Sequence, residues 1–248
     1  MNKNKLITFG DSFIQQRSLH PTMETWIDYI CKENNFELDG YGIGGNGIWN
    51  TVLNFLEYEE DFDVCIFAWS EPSRDYYPVR NIRNIRGGQN WNPENEPSDI
   101  NEKYNKYYMD ENLCILRAIT WLRWFDGFLN DYYSDKKFIH LYCFQQEFNL
   151  IKPNPGFVNI NLNDILVKYP QKRDLKFNFY PHTFKQGINI RPTLMEFADL
   201  LPHRKVEDGG GLLHMDHPVH KSFANQLNTV LKDDDFRNGD IVEFNIEY

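Results

Sequence analysis

Two stretches of this chain, Phe62–Trp69 and Phe138–Phe144, are apolar at nearly every position rather than at every second one. A strand of that kind is buried on both faces, as in a parallel sheet covered by helices. Parallel strands cannot be joined by tight hairpins, so each needs a crossover connection, most often a helix. The chain supplies such connections. Met23–Asn34 carries Trp26, Ile27, Tyr29 and Ile30 at helical spacing, and Ile48–Tyr58 carries Val52, Leu53, Phe55 and Leu56. Glu111–Tyr133 predicts the longest helix. Lys5–Phe9 and Phe36–Tyr41 predict a first and a second strand, and Phe157–Ile160 a fifth. The alternation predicts an α/β chain, a three-layer α/β/α sandwich on a mostly parallel five-stranded sheet. Ligands of such folds bind at the carboxyl ends of the strands.

Nothing in 248 residues demands a second core, so residues 1–248 are expected to form one domain. Two segments exceed a minimal sandwich. Residues 72–110 form a long polar insertion after the third strand, and Pro170–Arg191 is irregular with several aromatic residues. In the tail, residues 238–248, the alternation of Ile241, Val242, Phe244 and Ile246 with polar residues predicts an edge strand. A formal net charge of −10 argues against a nucleic-acid partner, because a phosphate backbone would be repelled. Cys31, Cys65, Cys114 and Cys143 lie in apolar surroundings without metal or redox spacing, and are expected to be free thiols. No apolar leader precedes the first strand and no run is long enough to span a bilayer. The expectation is a soluble chain with no membrane partner.

Three short constellations carry chemistry. The first strand ends in Gly10-Asp11-Ser12, where a glycine allows a sharp turn and a serine can be held as a nucleophile, its own amide facing a reacting carbonyl. Gly40-Tyr41-Gly42-Ile43-Gly44-Gly45-Asn46-Gly47 follows the second strand. Its place in the chain fits a dinucleotide loop poorly, and it serves better as a source of backbone N–H for an oxyanion, or as a turn allowing close packing. Near the C-terminus, His214, His217 and His220 surround the start of a helix with Asp216 as N-cap and Pro218 in its first turn. Their spacing makes no zinc site, and no metal or organic cofactor is implied. His214 is the first choice as general base, then His217. His220, one turn into the helix, is expected to cap or pack.

The order of these blocks resembles the SGNH/GDSL hydrolase superfamily, whose members are α/β sandwich esterases, lipases, thioesterases and carbohydrate deacetylases. The resemblance runs from Leu6 to Leu231 and is close only in the first block. It implies that Ser12 is the nucleophile, that the amides of Ser12 and Gly45 hold the oxyanion, and that His214 is the base. The acid expected three residues before His214 falls at Gly211, which leaves Asp208 as the candidate third member. The third block, Gly-x-Asn-Asp in the family, reads Trp69-Ser70-Glu71-Pro72-Ser73-Arg74 here, so Glu71 stands where an asparagine would donate to the oxyanion. Glu71 then either pairs with Arg74 or leaves the donor's role to Ser70 or Arg74. Arg74, Arg80, Arg83 and Arg86, with Tyr76, Tyr77 and Trp91, form a local basic and aromatic cluster suited to serve as a lid or, Arg74 together with Glu71, to grip a substrate such as an anionic glycan; the alternative is a solvated loop whose arginines pair with its own acids. The variant third block is similar to that of bacteriophage-encoded proteins. The implied substrate is a small acyl ester, such as an acetyl group on a glycan, and the implied location cytoplasmic or virion-associated. A binding or structural module that has lost catalysis is the alternative.

Overall fold

The computed structural model describes residues 4–11, 13–14, 24–42, 46–72, 74–75, 85–86, 111–143, 167–169, 178–180, 182–199, 217–233 and 235–245. The strands are β1 (Lys5–Gly10), β2 (Glu37–Gly42), β3 (Val64–Trp69), β4 (Arg74–Asp75), β5 (Ile85–Arg86), β6 (Lys137–Tyr142), β7 (Val167–Tyr169), β8 (Asn178–Tyr180), β9 (Ile188–Arg191) and β10 (Ile241–Glu243). The helices are α1 (Trp26–Asn34), α2 (Ile48–Leu56), α3 (Glu111–Tyr132), α4 (Leu194–Asp199) and α5 (His217–Lys232). Six strands form one sheet in the order β10-β9-β6-β3-β1-β2, with every pairing parallel. β4 with β5, and β7 with β8, make two small antiparallel pairs outside it.

Burial on both faces explains the unbroken apolar strands. One face sets Leu6, Ile66, Ala68, Ile139, Leu141 and Ile190 against Trp26 and Ile30 of α1 and Phe223 and Leu227 of α5. The opposite face sets Ile7, Phe9, Phe67, Trp69 and Phe138 against Val52 and Phe55 of α2 and Leu122 and Phe125 of α3. Phe55 lies edge-on to Phe67 and Phe125, with centroids 5.3 Å and 5.4 Å away, an arrangement aromatic quadrupoles favour. α1 starts at a capping box in which Thr25 and Asp28 satisfy each other's backbone N–H, and it stops at Asn35 in the left-handed region.

The sheet differs from expectation in its outer strands. It has six strands rather than five, the sixth being β10 at the edge, where the alternation of the tail pointed. The strand beyond β6 is β9, inside the segment expected to be irregular, while Phe157–Ile160 lies outside the described residues. β9 has only four residues, and two of them, Asn189 and Arg191, are buried polar side chains. Asn189 accepts from the Phe184 amide at 2.8 Å and donates to the Phe184 carbonyl at 2.8 Å. A strand that uses its buried positions to tie down a neighbouring loop does not read as apolar.

Strand order also fixes where a crevice can form. The chain goes from β1 to β2 on one side and from β3 on to β6 on the other, so the connections that leave these two adjacent strands diverge. In open parallel sheets that divergence opens a cleft at the carboxyl ends. Here the two ends are Gly10 and Trp69. Among the described residues no helix is long and apolar enough to cross a membrane.

Candidate active site

Gly10 lies so close to β3 that a Cβ built on it would stand 2.6 Å from the Ala68 carbonyl oxygen. Any side chain there would force the two strand ends apart. The next residue, Asp11, is fully buried and is the hub of the site. Its Oδ1 accepts the Phe13 N–H at 3.0 Å and the Cys143 S–H at 3.2 Å, just past the end of β6. Its Oδ2 accepts the Ser70 hydroxyl at 3.3 Å and a guanidinium N–H of Arg74 at 3.3 Å. The Asp11 carbonyl accepts the Ile14 N–H at 3.1 Å. The N–H groups of Phe13 and Ile14 thus both return to Asp11, one to its side chain and one to its carbonyl, which ties these two residues back to the end of β1.

The electrostatics follow from burial. Desolvation pushes the Asp11 carboxyl above the usual carboxylate range, while Arg74 and the hydrogen bonds from Phe13, Cys143 and Ser70 pull against it. Arg74 is itself buried, and its Nε donates to Glu71 Oε1 at 2.7 Å, so one guanidinium spans two carboxylates. Burial, with Asp11 alongside, pushes the Cys143 thiol well up, which leaves it an S–H donor rather than a thiolate.

The glycine-rich segment adds a third wall. Asn46, fully buried, donates to the Gly10 carbonyl and to Thr51 Oγ1, both at 3.2 Å, and accepts from Asn50 at 2.6 Å. Gly47 caps α2 with its backbone pressed on β4, where an added Cβ would meet the Arg74 carbonyl oxygen at 2.6 Å. The end of β1, the segment after β3, the end of β6 and the start of α2 therefore converge on one buried polar cluster.

Of the residues singled out from sequence, Ser12, Gly45, Asp208 and His214 lie outside the described residues, as does Gly211. Glu71 and Arg74 are described and pair with each other. The Arg74 fork is turned inward, which differs from a substrate-gripping surface arginine. Arg80 and Arg83 lie outside the described residues, as does the side chain of Arg86. His217 opens α5, and its side chain is likewise outside. His220 is fully buried, and its Nδ1 accepts the Trp26 N–H at 3.2 Å. It thus satisfies one of the free amides at the start of α1, the capping role its place in the helix suggested.

Sequence reasoning missed a second histidine and its acid. His182 Nε2 stands 2.8 Å from Asp126 Oδ2, and Asp126 also accepts the Lys185 and Gln186 N–H. Burial would raise the Asp126 carboxyl, but the bonds from His182 and the two amides outweigh it and hold it below the ordinary range. Residues spread over about 60 positions build this cluster, and no local motif announces it. It fastens residues 182–186 to α3. His140 is also buried, parallel to Phe184 at 3.6 Å, accepting from Trp69 Nε1 and bonded to the Gln186 carbonyl. These two partners require the proton on Nε2. Desolvation lowers its pKa to about 3, so it is a neutral core group. Among the described residues no group of three His, Cys, Asp or Glu side chains stands ready to hold a metal ion.

No protein-family model matches this chain, and no curated protein matches it either.

Proposed function

We propose that this chain is a serine esterase of the SGNH type that hydrolyses a small acyl ester, such as an acetyl group on a glycan. The observation that carries the proposal is the Asp11 hub. A fully buried carboxylate at the switch point of a parallel sheet fastens both neighbours of Ser12, while β3, β4 and the end of β6 brace it. Bracing of this kind on both sides of one residue at the end of a central strand is what a positioned nucleophile needs. The parallel sheet, with β1 between β2 and β3, agrees with the flavodoxin-like order of that superfamily.

In this mechanism Ser12 Oγ attacks the ester carbonyl and His214 takes its proton, oriented by Asp208. The amides of Ser12 and Gly45 hold the oxyanion. Collapse expels the alcohol, which takes the proton from His214. A water activated by the same histidine then cleaves the acyl-serine and releases the acid. Transfer of the acyl group to another alcohol uses the same site. The test is hydrolysis of p-nitrophenyl acetate and acetate release from O-acetylated glycans, beside Ser12→Ala and His214→Ala. Each substitution is expected to lower kcat about 10³-fold or more.

Glu71 favours a second reading, a module that binds acylated glycan without cleaving it, for instance as part of a virion. It stands where the superfamily has an amide donor, and a carboxylate donates nothing to an oxyanion. Glycan binding by wild-type protein with no acetate release, unchanged in Ser12→Ala, would select this reading over the esterase.

A further inference from the structure

We infer that Arg74 is a positioning residue for the proposed nucleophile: hooked by Glu71, its guanidinium brings positive charge to the Asp11 carboxylate, which holds the Phe13 amide on the far side of position 12. The inference rests on the reading of Ser12 as nucleophile and adds a role that the third block does not suggest by itself. In that block Glu71 looks like an obstacle at the oxyanion site. In the structure its carboxylate is occupied by Arg74 Nε at 2.7 Å, so it serves as the hook of a clamp.

Three observations support the clamp. First, the Arg74 backbone cannot drift. Its N–H donates to the Glu71 carbonyl at 3.2 Å, its carbonyl lies against Gly47, and β4 pairs it with Arg86. Second, the groups facing Asp11 are the Phe13 amide on its own turn, Ser70 after β3, Arg74 on β4 and Cys143 after β6. Among these described contacts Arg74 alone carries charge. Third, every one of them donates. An ionised Asp11 accepts from all four, whereas a protonated one must turn its O–H toward the Ser70 hydroxyl or the Cys143 sulfur, the two partners that can also accept, and carries no charge for Arg74 to meet. Burial works against ionisation and Arg74 works for it.

Arg74 in this role touches Asp11 and not the substrate. Its removal should therefore lower kcat, leave KM nearly unchanged and move the acid limb of the pH profile. The experiment compares wild type, Arg74→Gln, Arg74→Lys and Glu71→Gln. It measures esterase kinetics and fluorophosphonate labelling from acid to alkaline pH, with the Asp11 carboxyl followed by carbon-13 NMR and assigned with Asp11→Asn. In Arg74→Gln the acid limb and the Asp11 midpoint are expected to rise together by about one pH unit or more, with kcat down about tenfold. Arg74→Lys keeps the charge and should return both midpoints toward wild type. Glu71→Gln, a milder change at a half-buried group, should move them in the same direction as Arg74→Gln and carries the test if that variant does not fold. Labelling of wild type with unchanged midpoints in the variants would overturn the role of Arg74 alone. Wild type that neither labels nor hydrolyses, while Asp11 still responds to Arg74, would overturn the nucleophile reading and the positioning role with it.

Discussion

At the scale of single residues, the molecule keeps its charges and its titratable rings in opposite circumstances. Asp11 is buried and faces a guanidinium, whereas His140 is buried among aromatic rings and neutral. Removing Arg74 strands a buried carboxylate, so Arg74→Met should cost about 3–5 kcal/mol in urea unfolding. Glu71→Gln loses only a partly exposed pair and should cost about 1 kcal/mol. Equal costs would contradict the asymmetry. His140 sets a pH dependence whose sign is fixed. Its folded pKa of about 3 lies below an unfolded value of about 6.5, so between them the unfolded chain binds a proton that the folded chain refuses. Stability from this group is full above the unfolded value and is lost as pH falls toward the folded one, at up to about 1.4 kcal/mol per pH unit. Asp11 acts in the other sense, since a raised folded pKa makes its contribution fall as pH rises through the unfolded carboxylate value. His140→Gln should flatten the loss of stability between neutral pH and about pH 4, and an unchanged slope would disprove the assignment. Gly-Asp-Ser marks Ser12 as a candidate nucleophile, but it carries no sign of the task of Asp11. Its partners lie 59, 63 and 132 positions away, beyond any local motif.

At the scale of elements, the strands and helices that periodicity marks most strongly are the ones found. β3 is an unbroken apolar run, β1 and β6 are buried at every position after their first, and α3 is crowded with large apolar residues, so burial dictates their form. β9 escaped because Asn189 and Arg191 break its pattern, and because it occupies only four residues. Junctions between elements carry their own tests. Gly47→Ala would drive a methyl into the Arg74 carbonyl and must part α2 from β4, a cost of about 1–3 kcal/mol. The substitution should also weaken the clamp on Asp11, so its acid limb should shift in the same direction as that of Arg74→Gln. Thr25→Ala removes the capping box of α1 and should cost about 1 kcal/mol without moving the pH profile. A shift in the profile of Thr25→Ala would mean that general loosening, rather than the clamp, governs it.

At the scale of the whole molecule, a parallel sheet buried on both faces leaves its carboxyl edge as the natural place for a ligand. The sequence pattern was enough to reach that edge, because alternating buried strands and amphipathic helices admit few other arrangements. What the pattern could not reach was how four separate segments close on one carboxylate, since that depends on strand order and on contacts made only after folding. In our proposal this construction serves a nucleophile at position 12. The most direct measurement is reaction of the folded protein with a fluorophosphonate, read by intact mass and peptide mapping beside Ser12→Ala and His214→Ala. A single adduct on Ser12 is expected, absent in Ser12→Ala and formed far more slowly in His214→Ala. A folded wild-type protein that takes up no adduct, or an adduct that persists in Ser12→Ala, would contradict the proposal.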